Sequence, residues 1–211
     1  MRILTPDNYI TANCIISNHV VYKNETPIFE NRNVPVADFL LSVYRHFEIN
    51  YPKFYKMDNL SKLGWLATEI LLKDSFHMGK YDPEAIGIIL ANASSSLDTD
   101  IKYYETVKEI PSPSLFVYTL PNIVIGEICI RHNFKGENAF FIFEEFNAGF
   151  IEKYVSYLIN NNILQTCICG WVELLDDQYK SVLFLVEKVK TGQNILFTKE
   201  NLNKTYWLEN G

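Results

Sequence analysis

Apolar residues recur every three or four positions in several stretches of the chain, which is the spacing of a helix that buries one face. This spacing predicts helices over residues 36–47, 60–72, 97–107, 120–132 and 150–159. The stretch 120–132 is apolar on nearly every side, as expected of a buried helix. Asp58 or Asn59 is the candidate N-cap of the second helix, and Asn147 is that of the last one.

Other apolar runs lack helical spacing and predict strands. These runs cover residues 9–22, 85–91, 138–143, 164–175 and 181–189, and a short last strand is expected over 193–197. The first run is rich in β-branched residues and has an expected kink near Ser17 and Asn18. The unbroken run 85–91 is typical of a central strand that is buried on both faces. Residues 176–178 (Asp-Asp-Gln) separate two runs and predict a hairpin turn.

The predicted strands and helices alternate along the chain, which favours an α/β sheet with right-handed crossovers. The 211 residues are 48% hydrophobic and 21% charged, which is the balance of a globular protein. No repeat, linker or low-complexity segment is present, so residues 1–211 are expected to form a single domain. The high aromatic share, 14%, indicates either an aromatic-heavy core or an apolar surface or cavity for a partner or ligand.

Charge and cysteine content exclude several classes of function. The formal net charge is −6 and no block of Lys or Arg stands out, so a nucleic-acid partner is not expected. Four cysteines are present, Cys14, Cys129, Cys167 and Cys169. The last two are two positions apart on a predicted strand and so point to the same face, but no histidine is close enough in sequence to complete a zinc site. All four are interpreted as reduced, buried apolar residues, and no metal or other cofactor is expected.

The N-terminal sequence and the lengths of the apolar stretches bear on where the protein acts. The first ten residues lack the charged start and apolar run of a signal peptide. No apolar stretch approaches the length of a bilayer-spanning helix. A cytoplasmic protein without a membrane partner is therefore expected.

Residues 111–149 contain the most distinctive pattern of the chain. In order, it consists of Pro121-Asn122 at the start of a helix, Gly126 inside it, the turn Phe134-Lys135-Gly136, the aromatic strand 138–143 and the segment Glu144-Glu145-Phe146-Asn147-Ala148-Gly149, where a new helix begins. A strand that leads into a helix through a tight turn is where α/β proteins usually place their chemistry. This pattern resembles the N-terminal half of a β-ketoacyl synthase, the condensing enzyme of fatty acid and polyketide synthesis.

The resemblance implies where a nucleophile would lie. In that family the strand ends at a nucleophilic cysteine, just before the N-terminus of the next helix. Here Glu144 or Glu145 occupies that position. The catalytic histidines of the family belong to its C-terminal half, to which the resemblance does not extend. The histidines of this chain, His19, His46, His77 and His132, match none of those motifs and are interpreted as surface or core residues.

Two interpretations of the glutamates are open. A carboxylate suits a helix N-terminus, where the dipole favours negative charge by roughly 0.3–1 kcal/mol. One interpretation is therefore a structural cap or an ion-pair partner. The other is a gate in an acyl tunnel, or a group that transfers protons.

For the fold, the resemblance implies one half of a thiolase-like α/β structure, a mixed five-stranded sheet with helices on both faces. By the same resemblance, strand 138–143 lies at the edge of the sheet and pairs with its mate across a dimer. Because the second half of the fold is missing, helix 150–159 is expected to keep one bare apolar side unless another element covers it. Both features indicate a strong dimer.

The function that the resemblance implies is a catalytically inactive accessory subunit of the chain-length-factor type, paired with a full-length ketosynthase. Short proteins of this kind occur in aryl polyene and flexirubin-type pigment clusters. The expected tunnel or interface residues are Phe140, Phe141, Phe143, Phe146 and Asn147, and the expected structural motif consists of Pro121, Asn122, Gly126, Gly136 and Gly149. An acyl carrier protein is a further expected partner. The alternatives are an acyl-thioester decarboxylase or hydrolase that uses Glu144 or Glu145, and a homodimeric acyl-binding module.

Overall fold

A computed structural model describes residues 7–189 and 192–208 of the chain. The helices are α1 Val36–His46, α2 Asn59–Leu72, α3 Leu97–Val107, α4 Pro113–Phe116, α5 Ile123–His132, α6 Ala148–Asn160 and α7 Lys199–Tyr206. The strands are β1 Tyr9–Ser17, β2 Val20–Lys23, β3 Thr26–Glu30, β4 Ile86–Asn92, β5 Asn138–Ile142, β6 Thr166–Leu175, β7 Gln178–Glu187 and β8 Ile195–Leu196. Short 3₁₀ turns cover Pro52–Lys56, Met78–Lys80 and Pro83–Ala85. The first six residues, on which the signal-peptide expectation partly rested, lie outside the described residues.

The strands form one mixed sheet. Within the described residues it has eight strands in the order β3-β2-β1-β7-β6-β4-β5, with β8 paired to β1. Strand β4 runs parallel to both of its neighbours, β5 and β6, and the other pairs are antiparallel. The α/β class and the mixed sheet are confirmed, but the expected number of five strands is wrong.

The additional strands come mainly from the N-terminal region. The expected kink near residues 17 and 18 is a hairpin turn, because Asn18 and His19 adopt left-handed backbone angles with φ of 48° and 62°. The turn divides the predicted first strand into β1 and β2. Strand β3 was not predicted, since its sequence TPIFE contains a proline and little apolar alternation, as tolerated only at a sheet edge.

Helices cover both faces of the sheet, as the resemblance implied. Ile88 and Leu90 of β4 belong to the core that α1, α2 and α5 cover. Ile89 and Ala91 point the other way, into the core beneath α6 and α7. This alternation explains the unbroken apolar run of β4, because both of its faces are buried.

The C-terminal helix α7 is the main element that the sequence pattern did not predict. Its sequence KENLNKTY buries Leu202 and Thr205, so it lacks a recognisable apolar stripe. The Thr198 side chain accepts a hydrogen bond from the Asn201 N–H and fixes the start of the helix. Helix α7 packs against α6 and covers part of the surface that was expected to be bare.

Candidate functional site

The turn between β5 and α6 lies at the edge of the sheet where the parallel strands β4 and β5 end. The Phe143 N–H donates to the Asn92 carbonyl over 2.9 Å, which holds the ends of the two strands together. Gly136 allows β5 to approach β4, because a Cβ at this position would lie 2.5 Å from the Ile86 carbonyl oxygen. A Cβ at Gly126 or Gly149 meets no close contact, so space alone does not require these two glycines.

Asn147 caps α6, as the sequence predicted. Its side-chain oxygen accepts a hydrogen bond from the Phe150 N–H over 3.0 Å. Asn122 also occupies an N-cap position, at the start of α5, but its side chain makes no capping hydrogen bond. Helix α5 begins at Ile123, and the preceding residues 120–122 form a turn closed by the Ile123 N–H and the Leu120 carbonyl.

Glu144 and Glu145 are exposed and precede the capping residue. The first turn of α6 contains no acidic side chain, so the capping function that was considered for a glutamate belongs to Asn147. Among the described residues, neither carboxylate has an ion-pair or hydrogen-bond partner. Both carboxylates line two shallow cavities of about 430 and 400 Å³ on either side of the turn.

Phe146 is the residue of the turn that points inwards. It is buried and stacks on Tyr206 of α7, with ring centroids 4.5 Å apart and planes at 15°. It also meets the edge of Trp171 of β6 at 6.1 Å. An aromatic cluster from three elements therefore fills the space directly behind the turn.

The aromatic residues of β5 divide between the two faces of the sheet. Phe141 and Phe143 pack together on the α6 side, where their ring centroids lie 4.7 and 5.0 Å from that of Phe150. Phe140 contacts the opposite core, beneath α5. The three phenylalanines predicted to line one tunnel therefore do not share a face, as the alternation of a strand requires.

All four thiols lie away from the turn. Cys14 is on β1, Cys129 on α5, and Cys167 and Cys169 on β6, where the last two share one face as predicted. Burial raises the pKa of the Cys14 thiol to about 12, partly opposed by the Lys23 ammonium. Burial likewise raises the pKa of the other three thiols. A neutral, enclosed thiol is a poor nucleophile.

Glu173 of β6 contributes to the site and was not singled out from the sequence. Its carboxylate oxygen accepts hydrogen bonds from the Ala93 and Ser94 N–H groups over 2.5 and 3.2 Å. These groups belong to the polar turn that follows β4. Glu173 also lines the same cavity as Glu144 and Glu145, so this end of the sheet is acidic. No periodicity could have revealed it, because the contact joins residues about eighty positions apart.

Groups of metal ligands and membrane-spanning helices are both absent from residues 7–189 and 192–208. No group of three or more His, Cys, Asp or Glu side chains there is placed to hold a metal ion. Within the same residues, no helix has the length and apolarity needed to cross a membrane. The two cavities at the turn are lined by no histidine of the described chain.

The sequence matches no protein-family model and no curated protein. The structure, in contrast, superposes on solved ketosynthases. The ishigamide ketosynthase/chain length factor matches with a TM-score of 0.64 and 15% identity, over 89% of this chain and 64% of that one. This chain has a ketosynthase-like fold. A chain of the AntDE:AntF structure, a type II PKS acyl-carrier protein in complex with its ketosynthase, gives a TM-score of 0.60 and 17% identity, over 87% of this chain and 63% of that one.

The ketosynthase-like chain spans just under two thirds of the length of those first two structures. A chain in the complex of the ketosynthase ApeO with its chain length factor ApeC, from Xenorhabdus doucetiae, differs in this respect. It matches with a TM-score of 0.58 and 11% identity, over 97% of this chain and 92% of that one. The two chains are therefore similar in length. The implied thiolase-type fold is confirmed.

Proposed function

We propose that this chain is an accessory subunit of the chain-length-factor type, which pairs with a full-length β-ketoacyl synthase and does not itself condense acyl groups. The observation that carries the proposal is the β5–α6 turn, which presents Glu144 and Glu145 where the family resemblance places a cysteine. Condensation requires a thiolate that carries the acyl chain. The four thiols of the chain lie elsewhere, with raised pKa values.

An exposed apolar surface supports a protein partner. It consists of Leu97, Ile101, Tyr104 and Val107 on α3, Ile110, Phe116, Val117 and Leu120 around α4, and Ile142 on β5. We call it the α3–α4 surface. Helices α3 and α4 are in contact, and the rings of Tyr103 and Phe116 lie 5.4 Å apart. So many large exposed apolar side chains on neighbouring elements are characteristic of an interaction site.

The open edge of the sheet at β5 also supports a protein partner. In the described part of the chain, β5 is the last strand of the sheet and its outer edge pairs with no other strand. Ile142 is on this edge, next to the turn that leads to α3. A ketosynthase that covers both the edge of β5 and the α3–α4 surface would bury them together.

Size-exclusion chromatography with light scattering tests the proposal, using the chain alone and mixed with a full-length ketosynthase from the same source. We expect a one-to-one heterodimer from the mixture. A stable monomer that ignores the ketosynthase contradicts the proposal. A tight homodimer that does not exchange with the ketosynthase supports the homodimeric acyl-binding module instead, and mass spectrometry of that homodimer would then show bound acyl chains.

Within this proposal, the heterodimer acts in fatty acid or polyketide elongation of the aryl polyene or flexirubin type, supplied by an acyl carrier protein. Phe141 and Phe143 are the aromatic residues of β5 that we place nearest to the acyl chain, since they lie on the α6 side of the sheet, next to the β5–α6 turn. Replacement of either by alanine is expected to change the length of the product made by the heterodimer. Unchanged products from both variants would contradict this placement.

An acyl-thioester decarboxylase or hydrolase based on Glu144 or Glu145 is a separate proposal. Both carboxylates are open to solvent, but no histidine lines their cavities among the described residues. Activity of this kind requires turnover of malonyl- or acyl-thioesters by the purified chain or its complex. The turnover must also be lost in Glu144→Gln or Glu145→Gln.

A further inference from the structure

A further cavity lies at the opposite end of the sheet from the β5–α6 turn and its two cavities. It has a volume of about 330 Å³ and is lined by Phe47, Ile49, Glu69, Ile70, Leu72, Lys73, Asp74, Phe76 and His132. Helices α1, α2 and α5 all end here, at His46, Leu72 and His132. Apolar walls with a small number of polar groups are the composition of a small-molecule site. We refer to it as the helix-end cavity.

The polar groups of the cavity wall are mostly neutralised by one another. His132 Nε2 lies 2.7 Å and Arg131 Nε 3.4 Å from the same carboxylate oxygen of Glu69. Burial raises the pKa of Glu69, but the hydrogen bonds and charges of His132 and Arg131 outweigh it, so the pKa lies below its usual value. Glu69 is therefore ionised and already paired. The other carboxylate of the lining, Asp74, is exposed and follows Lys73 in the chain.

Lys73, at the mouth of the cavity, differs from His132 and Arg131 in its electrostatic environment. The partial negative charge at the end of α2 is met by Lys23, whose ammonium group donates to the Lys73 carbonyl. The ammonium of Lys73 itself lies over the ring of Phe47, 5.7 Å from its centroid. Among the described residues, no carboxylate is within ion-pair distance of it. The cavity thus combines apolar walls with the Lys73 ammonium, which forms no ion pair within the described part of the chain, and with the exposed Asp74 carboxylate.

We propose that the helix-end cavity binds a small apolar monocarboxylate, with the hydrocarbon against Phe47, Ile49 and Phe76 and the carboxylate at the Lys73 ammonium. The volume is at the lower end of the range for ligand cavities, roughly 300–1,000 Å³, and suits a medium-length chain or a single aromatic ring. This binding site is independent of the accessory-subunit function, because it lies at the other end of the sheet from the β5–α6 turn.

Titration of the isotope-labelled chain with octanoate, followed by two-dimensional NMR, tests the proposal. Octanol and octylamine, which share the chain but differ in charge, are titrated in parallel. We expect octanoate to shift the amides of residues 47–49, 69–76 and 132–134, and to bind more tightly than the other two compounds. Lys73→Gln is expected to weaken octanoate binding by about threefold to tenfold and to leave octanol unchanged, since one partly exposed ion pair is lost.

Two further variants test whether octanoate binds inside the helix-end cavity and whether the effect is specific to Lys73. Ile49→Trp fills the cavity and should abolish binding of octanoate while the remaining spectrum stays folded. Lys204→Gln removes an exposed lysine from α7, on the other face of the sheet, and should have no effect. Octanoate shifts that lie elsewhere, equal affinity in Lys73→Gln, or equal binding of octylamine would each overturn the proposal.

Discussion

Asn147 and Asn122 are the same residue type at equivalent helix positions, yet only one of them caps its helix. Asn147 accepts a hydrogen bond from the Phe150 N–H, whereas the Asn122 side chain makes no capping bond. Asn147→Ala should therefore lower the free energy of unfolding by about 1 kcal/mol. Asn122→Ala is the matched control and should cost no more than a few tenths of that. Equal losses in urea denaturation would show that the cap is not what Asn147 contributes.

Buried thiols make stability depend on pH in the alkaline range. Burial raises the pKa of Cys14 from 9.0 to about 12. As the pH rises from about 9 towards 12, the unfolded thiol loses its proton while the folded thiol keeps it, so the free energy of unfolding falls. Urea denaturation at about pH 8 and about pH 10 measures the fall. Cys14→Ala should show a smaller fall than the wild type. Cys129→Ala, at a half-buried thiol, should change it less, and an unchanged fall in Cys14→Ala would contradict the prediction.

Individual residues differ in how far the sequence reveals their roles. The cap at Asn147 was predictable, because it depends on a contact three residues away. The burial of Phe146 was not, because its stacking partner Tyr206 belongs to a helix without an apolar stripe. Glu173 was missed for a related reason, since it binds backbone groups distant in sequence. The acyl-tunnel functions of the phenylalanines stay predictions.

Among the secondary-structure elements, β5 has an edge that can be described residue by residue. The Ile88 N–H donates to the Glu137 carbonyl and the Phe143 N–H to the Asn92 carbonyl. In a parallel ladder this register directs the backbone groups of odd-numbered residues to β4. Those of the even-numbered residues 138, 140 and 142 therefore point to the open edge. The edge offers a partner strand a short row of donors and acceptors.

This register gives a test of partner pairing. Ile142→Pro removes one N–H from the open edge without removing a hydrogen bond to β4, and proline is tolerated at such positions. We expect the variant to fold and to bind the ketosynthase at least about tenfold more weakly, whereas Ile142→Ala, which keeps the N–H, should lose less. Titration by calorimetry measures both affinities. A proline variant that binds as well as the alanine variant would exclude strand pairing at this position.

Helix α7 covers Phe146 of the β5–α6 turn, which can be tested by substitution. Tyr206 stacks on Phe146, and aromatic pairs contribute about 0.5–1.5 kcal/mol beyond the area that they bury. Tyr206→Ala should lower the midpoint of thermal unfolding and increase the binding of a hydrophobic dye, because Phe146 becomes exposed. Tyr157→Ala, at a ring that is 58% exposed on α6, is the control and should do neither. Equal effects of the two substitutions would indicate that α7 does not protect the turn.

Helices and strands whose apolar residues recur at a regular spacing were predictable from the sequence, and those without such a spacing were not. Helices α1, α2, α3 and α6 lie within a residue or two of the predicted ranges, because each has a regular apolar stripe. The stripe is buried in α1, α2 and α6, whereas in α3 it is exposed. The hairpin of β6 and β7 was also predicted, from its polar turn. Strands β2 and β3 and helix α7 were missed or merged, since they are short and half-exposed and depend on tertiary contacts.

At the scale of the whole molecule, the distribution of apolar surface is asymmetric. One face of the sheet is covered by α1, α2 and α5, and the other by α6 and α7. Many of the large exposed apolar side chains lie on α3 and around α4, and Ile142 is exposed on β5, the last strand of the sheet. A partner that covers this side would complete the molecule, which is why the oligomeric state is the most informative property to measure.

The position of β1 in the sheet determines when the protein can fold during synthesis. Strand β1 is made first, but one of its neighbours is β7, with Tyr9 opposite Glu187. While the ribosome is still translating residues before β7, the apolar strand β1 has only the short β2 beside it. A nascent chain arrested before β7 should therefore be cleaved rapidly by protease, whereas one arrested after the full chain has emerged should resist. We therefore expect the apolar β1 to stay exposed to the solvent or to chaperones until β7 has left the ribosome.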